Sequence, residues 1–254
     1  GTAYANHGLP MIPFYIFYSM FGFQRVGDMI WACGDMLCKG FLLGGTSGRT
    51  TLNGEGVQHQ DGHSHLLSAT VPNLKSYDPA FGYEIALIVR EGIRRMYAEQ
   101  EDLFYYLTVT NQPYRMPALP DGDDVEAGVL AGMYCLERRP EAAVNLFGSG
   151  AIMNEVLRAR DLLSDMDIPA SVWSVTSYTE LARQATAVER ERLMGIGQVA
   201  QQPHVAQQLA DARLRTVLAL VNRDRGNGSP AGGGGTEATR RALIRPVLAY
   251  IDRH

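Results

Sequence analysis

Residues Leu9 to Ser19, LPMIPFYIFYS, are apolar or aromatic at nearly every position, and Phe21 to Lys39 then changes period, with Val26, Met29, Ile30, Cys33 and Leu37 at spacings of three and four. A run that is apolar on both sides predicts a central strand in a sheet covered by helices on both faces, and the following period predicts a helix with one buried stripe. Gly40 is expected to close that helix, with Phe41 to Leu43 as a short strand after it. The pattern then repeats: Leu74 to Tyr77 reads as a strand, Ala80 to Glu99 as a helix with Ile85, Ile88, Val89, Ile93 and Met96 on one side, and Leu103 to Thr110 as another strand. Alternation at this rhythm predicts an α/β fold, doubly wound around a mostly parallel sheet.

The segment Asn111 to Asp124, NQPYRMPALPDGDD, has no apolar period and reads as a linker. A second α/β unit follows, with strands at Gly132 to Leu136, Ala143 to Phe147 and Ala170 to Thr176, and a helix at Ile152 to Asp165. The expected division is therefore 1–110, the linker 111–124, a second unit 125–211 and a tail 212–254. That tail sets eight arginines against three acids and contains the run SPAGGGG, which predicts a solvated and partly disordered end.

Between the second and third strands lies GGTSGRTTLNGEGVQHQDGHSH, Gly44 to His65, with six glycines, Arg49, Glu55, Asp61 and three of the six histidines. Its glycines, serines and threonines oppose regular structure, and long shaped loops inside compact domains are often functional. The chemistry is placed here. His59, His63 and His65 with Asp61 could form a zinc cluster, with Glu55 as the base of a metal-dependent hydrolase. Arg49 reads better as an organiser of the loop than as a substrate ligand. The turn Gly148-Ser149-Gly150 before a helix could cradle a phosphate, although a plain strand-to-helix turn is the favoured reading because the fuller glycine fingerprint is missing. Glu84 and Glu91 read as solvated or paired with Arg90, Arg94 or Arg95.

A net charge of −4 gives no support for nucleic acid as a partner, and no apolar run reaches the length of a membrane span. Cys33, Cys38 and Cys135 form no CxxC pair, which fits reduced, buried thiols and a cytoplasmic location. Lys39 and Lys75 are the two lysines, against 21 arginines, a bias that points to coding composition more than to mechanism.

Three stretches carry a family resemblance: YSMFGFQRVGDMIWACGD (Tyr18 to Asp35), the loop Gly44 to His65, and SVTSYTELAR (Ser174 to Arg183). In this order they resemble the homodimeric-type, thiamine-diphosphate-dependent decarboxylating component of bacterial pyruvate dehydrogenase complexes, over Gly1 to about Asp211. The resemblance implies a transketolase-like fold, with a later part of the pyrimidine-binding middle domain, a linker and part of the C-terminal α/β domain, so that the chain is a fragment. It implies thiamine diphosphate and magnesium as cofactors, pyruvate as substrate, and a second subunit and a lipoyl-bearing acyltransferase as partners. It also implies roles: Phe21 stacks on the aminopyrimidine ring, Tyr18 lies near ring and substrate, His59 faces the bound intermediate, and Glu55 is the acid of the same loop. Gln60 departs from the family, which usually has an acid there. The family's activating glutamate would lie before Gly1, and its diphosphate and magnesium motif belongs to an earlier domain, so the chain alone is expected to be inactive. A metal-dependent hydrolase and a non-catalytic dimerising fragment are the alternatives.

Overall fold

The computed structural model describes residues 7–9, 11–45, 47, 56–122, 124–196 and 201–210. Its first sheet holds β1 (Phe14–Tyr18), β2 (Phe41–Gly45), β3 (Leu74–Tyr77) and β4 (Phe104–Thr108) in the order β1-β2-β4-β3, every pair parallel. Helix α1 (Ser19–Asp35) follows β1, the short α2 (Ser64–Ser68) precedes β3, and α3 (Gly82–Ile93), which continues as a π-turn over Arg94–Ala98, joins β3 to β4. Alternation along β4 shows why the sheet is doubly wound. Tyr106 meets Phe23 of α1 and His65 of α2 on one face, while Tyr105 meets Phe41 and Tyr77 on the other, where Gly92 lets α3 approach.

The second sheet has β5 (Tyr134–Glu137), β6 (Val144–Gly148) and β7 (Ala170–Ser174) in the order β5-β7-β6, with β6 and β7 parallel and β5 antiparallel. Around it lie α4 (Asp124–Ala131), α5 (Met153–Ser164), α6 (Tyr178–Met194) and α7 (His204–Ala210). Helices α4, α6 and α7 were not anticipated from periodicity. Helix α6 is marked all the same by Ser177, whose hydroxyl accepts from the Glu180 amide at its start, and by left-handed Gly195 at its end.

The two sheets share buried contacts. Val125, Val129 and Tyr134 pack in the same core as Ile88, Met96 and Tyr105. Glu84, expected at the surface, is fully buried: its Oε2 accepts the Ala80 and Phe81 amides, and its Oε1 accepts the Tyr134 and Ser174 hydroxyls. The local reason is its place in the first turn of α3, from which a glutamate reaches back to the N-cap amide. Glu91 does pair with Arg94, at 2.7 Å. Both lysines are structural. Buried Lys39 donates to the carbonyls of Met96 and Glu101 where the π-turn ends, and Lys75 pairs with Glu180 across the two units.

Two expectations at the start of the chain need correction. The strand in Leu9 to Ser19 is shorter and is not central: β1 is an edge of the sheet among the described residues, with Phe14, Tyr15 and Ile16 at 48%, 55% and 68% exposure. Apolarity records that a strand needs cover and says nothing about which segment supplies it. Helix α1 ends at Asp35 and is closed not by Gly40 but by Leu37, which takes φ 55° while the Cys38 amide reaches back to the Cys33 carbonyl at 2.9 Å. Burial, and then the neighbouring Cys38 thiol, push the Cys33 thiol above its ordinary value, in keeping with inert cysteines.

Candidate functional site

All four strands of the first sheet point the same way, so their carboxyl ends share one edge, where open α/β sheets bind ligands. Tyr18 is the last residue of β1, and Phe21 lies one turn on, inside α1. Their rings stack with centroids 5.5 Å apart at 27°. His59, in a 3₁₀ turn (Val57–His59) beyond β2, stands edge-on to both, 5.7 Å from the Tyr18 ring and 5.5 Å from the Phe21 ring. Its Nδ1 lies 3.3 Å from the Tyr18 hydroxyl. The three side chains are half-buried, so each keeps part of its surface toward solvent. Chemically, the group offers flat apolar faces beside a phenol and an imidazole within hydrogen-bond reach of each other.

The structure thus brings together Tyr18, Phe21 and His59. Glu55 and Arg49 lie outside the described residues. Arg25 is an addition: its guanidinium carbon sits 4.4 Å from the Phe21 centroid. Its position four residues after Phe21, one turn along the same helix face, was the available signal.

The histidines do not converge on a metal. His63 Nε2 lies 2.9 Å from Gln24 Nε2, and His65 is held by Ser76 and Thr108 at 2.7 and 2.9 Å, away from the Tyr18–His59 pair. Asp61, fully buried, accepts the amides of His63 and Ser64 and the Ser64 hydroxyl, which makes it the brace of the loop and the opening of α2. Tyr106 ties the brace to the sheet by donating to Ser64 Oγ at 3.0 Å. Among the described residues no group of three or more His, Cys, Asp or Glu could hold a metal ion, and no helix is long and apolar enough to cross a membrane. The hydrolase alternative loses its cluster.

The Gly148-Ser149-Gly150 turn does hold an anion, but an internal one. Ser149 Oγ lies 2.8 Å from Asp78 Oδ2, the Gly150 amide donates to the Asp78 carbonyl at 3.0 Å, and a Cβ on Gly150, whose φ is 50°, would come within 2.4 Å of Asp78 Oδ1. An external phosphate has no room in that arrangement.

Comparison with known proteins agrees with this layout. Residues 1–117 match the model of the pyruvate dehydrogenase E1 component middle domain, and residues 132–220 match that of the transketolase-like C-terminal domain, carrying the likeness nine residues beyond Asp211. The chain is 55% identical over 217 residues to the pyruvate dehydrogenase E1 component of Pseudomonas aeruginosa, covering 84% of this chain and 24% of that protein. It is 51% identical over 215 residues to that of Escherichia coli K12, covering 83% and 24%. It therefore spans about a quarter of the length of these curated relatives. Among solved structures, transketolase from Campylobacter jejuni superposes with a TM-score of 0.55 at 21% identity over 74% of this chain and 28% of that one. Transketolase from Leishmania mexicana gives 0.54 at 17% identity, over 72% and 25%. The fold is transketolase-like, and the chain belongs to the family of the pyruvate dehydrogenase E1 component.

Proposed function

We propose that this chain forms the aminopyrimidine-binding part of a thiamine-diphosphate-dependent enzyme that decarboxylates pyruvate oxidatively and passes the acetyl group to a lipoyl group of a partner acyltransferase. The observation that carries the reading is the Tyr18, Phe21 and His59 group at the carboxyl edge of a parallel sheet, in a chain more than half identical to pyruvate dehydrogenase E1 components. These residues fit the cofactor. A flat heteroaromatic ring gains roughly 0.5–1.5 kcal/mol beyond burial from stacking on an aromatic partner, and Phe21 is placed to provide one. When bound, thiamine diphosphate supplies the carbanion and the electron sink. The chain's own share is to hold and orient the ring with Phe21 and to hold or release a proton at the Tyr18 hydroxyl and the His59 imidazole. We place magnesium, the diphosphate and a second subunit of a homodimer outside the described residues, together with the groups that complete the reaction, and the protein in the cytoplasm. The division at 111–124 is kept as the boundary between a pyrimidine-binding and a C-terminal domain.

The test is a chimera in which this chain replaces the matching segment of the Pseudomonas aeruginosa relative. Pyruvate decarboxylation should survive the exchange, and Phe21→Ala or His59→Ala in the chimera should lower it by about 100-fold or more. A folded chimera indifferent to both substitutions would overturn the assignment.

A further inference from the structure

Beyond the aromatic group, one polar chain runs from the site loop into the second unit. Ser68 Oγ donates to Ser76 Oγ at 2.8 Å, and Ser76 Oγ lies 2.7 Å from His65 Nδ1. His65 Nε2 lies 2.9 Å from Thr108 Oγ1, which donates to Asp78 Oδ1 at 2.5 Å. Asp78 then accepts Ser149 Oγ on its other carboxylate oxygen, and its carbonyl accepts the Gly150 amide. Thr108 gives its proton to a carboxylate, so it accepts from Nε2–H of His65, while the Ser68 hydroxyl is also within reach of the His65 carbonyl at 2.9 Å. Ser68, Ser76, Thr108, Asp78 and Ser149 are all buried, so each bond broken leaves a polar group without water.

We infer that Asp78 is a positioning residue through which the second α/β unit holds the loop that carries His59. The mechanical path is short. His65 sits next to Ser64 at the start of α2, and Ser64 is bound to Asp61, two residues from His59. The Gly148-Ser149-Gly150 turn anchors the far end, and Gly150 is required there because a side chain would strike the Asp78 carboxylate. Among the described residues Asp78 reaches the loop through Thr108 and His65. The functional meaning rests on the proposed role of the His59 loop, whereas the coupling does not.

Amide hydrogen exchange of the full chain without any cofactor tests it. Thr108→Val and Gly150→Ala should speed exchange in residues 56–68 by about tenfold or more while α5 and β6 keep their rates, and the His59 ring signals should shift. Thr108→Ser, which keeps the hydroxyl, should behave as wild type. Should Gly150→Ala fail to fold, Ser149→Ala removes one bond and should give a smaller acceleration in the same residues. Unchanged exchange in 56–68, or an equal acceleration everywhere, would overturn the inference. Because no cofactor is present, a failure here is separate from a failure of the chimera to respond to Phe21→Ala.

Discussion

Glu84 is the carboxyl on which groups of both units converge. Its neighbours Arg90, Arg94 and Arg95 suggest a solvated helix, yet it is buried at the joint between the sheets with four donors aimed at it. Burial raises its pKa, and the Ser174, Tyr134, Phe81 and Ala80 donors offset part of that rise. A carboxyl whose folded value is raised binds protons more readily folded than unfolded, so its contribution to stability is full below the unfolded value, near 4.3, and is lost as pH rises through the folded value. Urea unfolding across this window should show the difference between Glu84→Gln and wild type moving in favour of the variant as pH rises. Glu84→Ala leaves buried donors unmet and should cost about 3 kcal/mol or more at every pH. A pH-independent difference for Glu84→Gln would refute the raised pKa. Tyr18, Phe21 and His59 were legible because they lie in long motifs of a known family. Asp78 and Thr108 were not, because a buried hydrogen-bond chain across 30 or more positions leaves no local pattern.

At the scale of elements, apolar period located β2, β3 and β4, helix α1 before β2 and helix α3 between β3 and β4, since each buries one stripe or two faces, and it missed the short α2. It failed where capping decides. Helix α4 has little amphipathic pattern because it packs between the units, with Val125, Gly128 and Val129 all buried. Helix packing also makes a prediction at Gly92, where an added Cβ would lie 2.8 Å and 2.9 Å from Phe41 ring atoms and 3.0 Å from the Tyr105 ring. Alanine gains about 1 kcal/mol of helix propensity but overpacks a buried helix-sheet contact, which costs about 1–3 kcal/mol. The collision dominates because both rings are buried, so chemical denaturation of Gly92→Ala should show a net loss of stability. A more stable variant would mean that α3 can move away from the sheet freely.

For the whole molecule, periodicity suggested two units on a linker, and the contacts between them are those of a joint. Glu84, Asp78 and the Lys75–Glu180 pair span it, and Arg183 of α6 donates to the Leu74 and Val71 carbonyls at 2.6 and 2.8 Å. Calorimetry should therefore show the two sheets melting in one transition, and two resolved transitions would refute that coupling. The proposed role of the Tyr18, Phe21 and His59 group is to receive an aminopyrimidine ring. The most direct measurement is a nuclear magnetic resonance titration of the ring signals of these three residues with thiamine, which carries that ring without the diphosphate. The three signals should shift together, and Phe21→Ala should abolish the response. Silence in all three up to tens of millimolar thiamine, or a response that survives Phe21→Ala, would contradict that role.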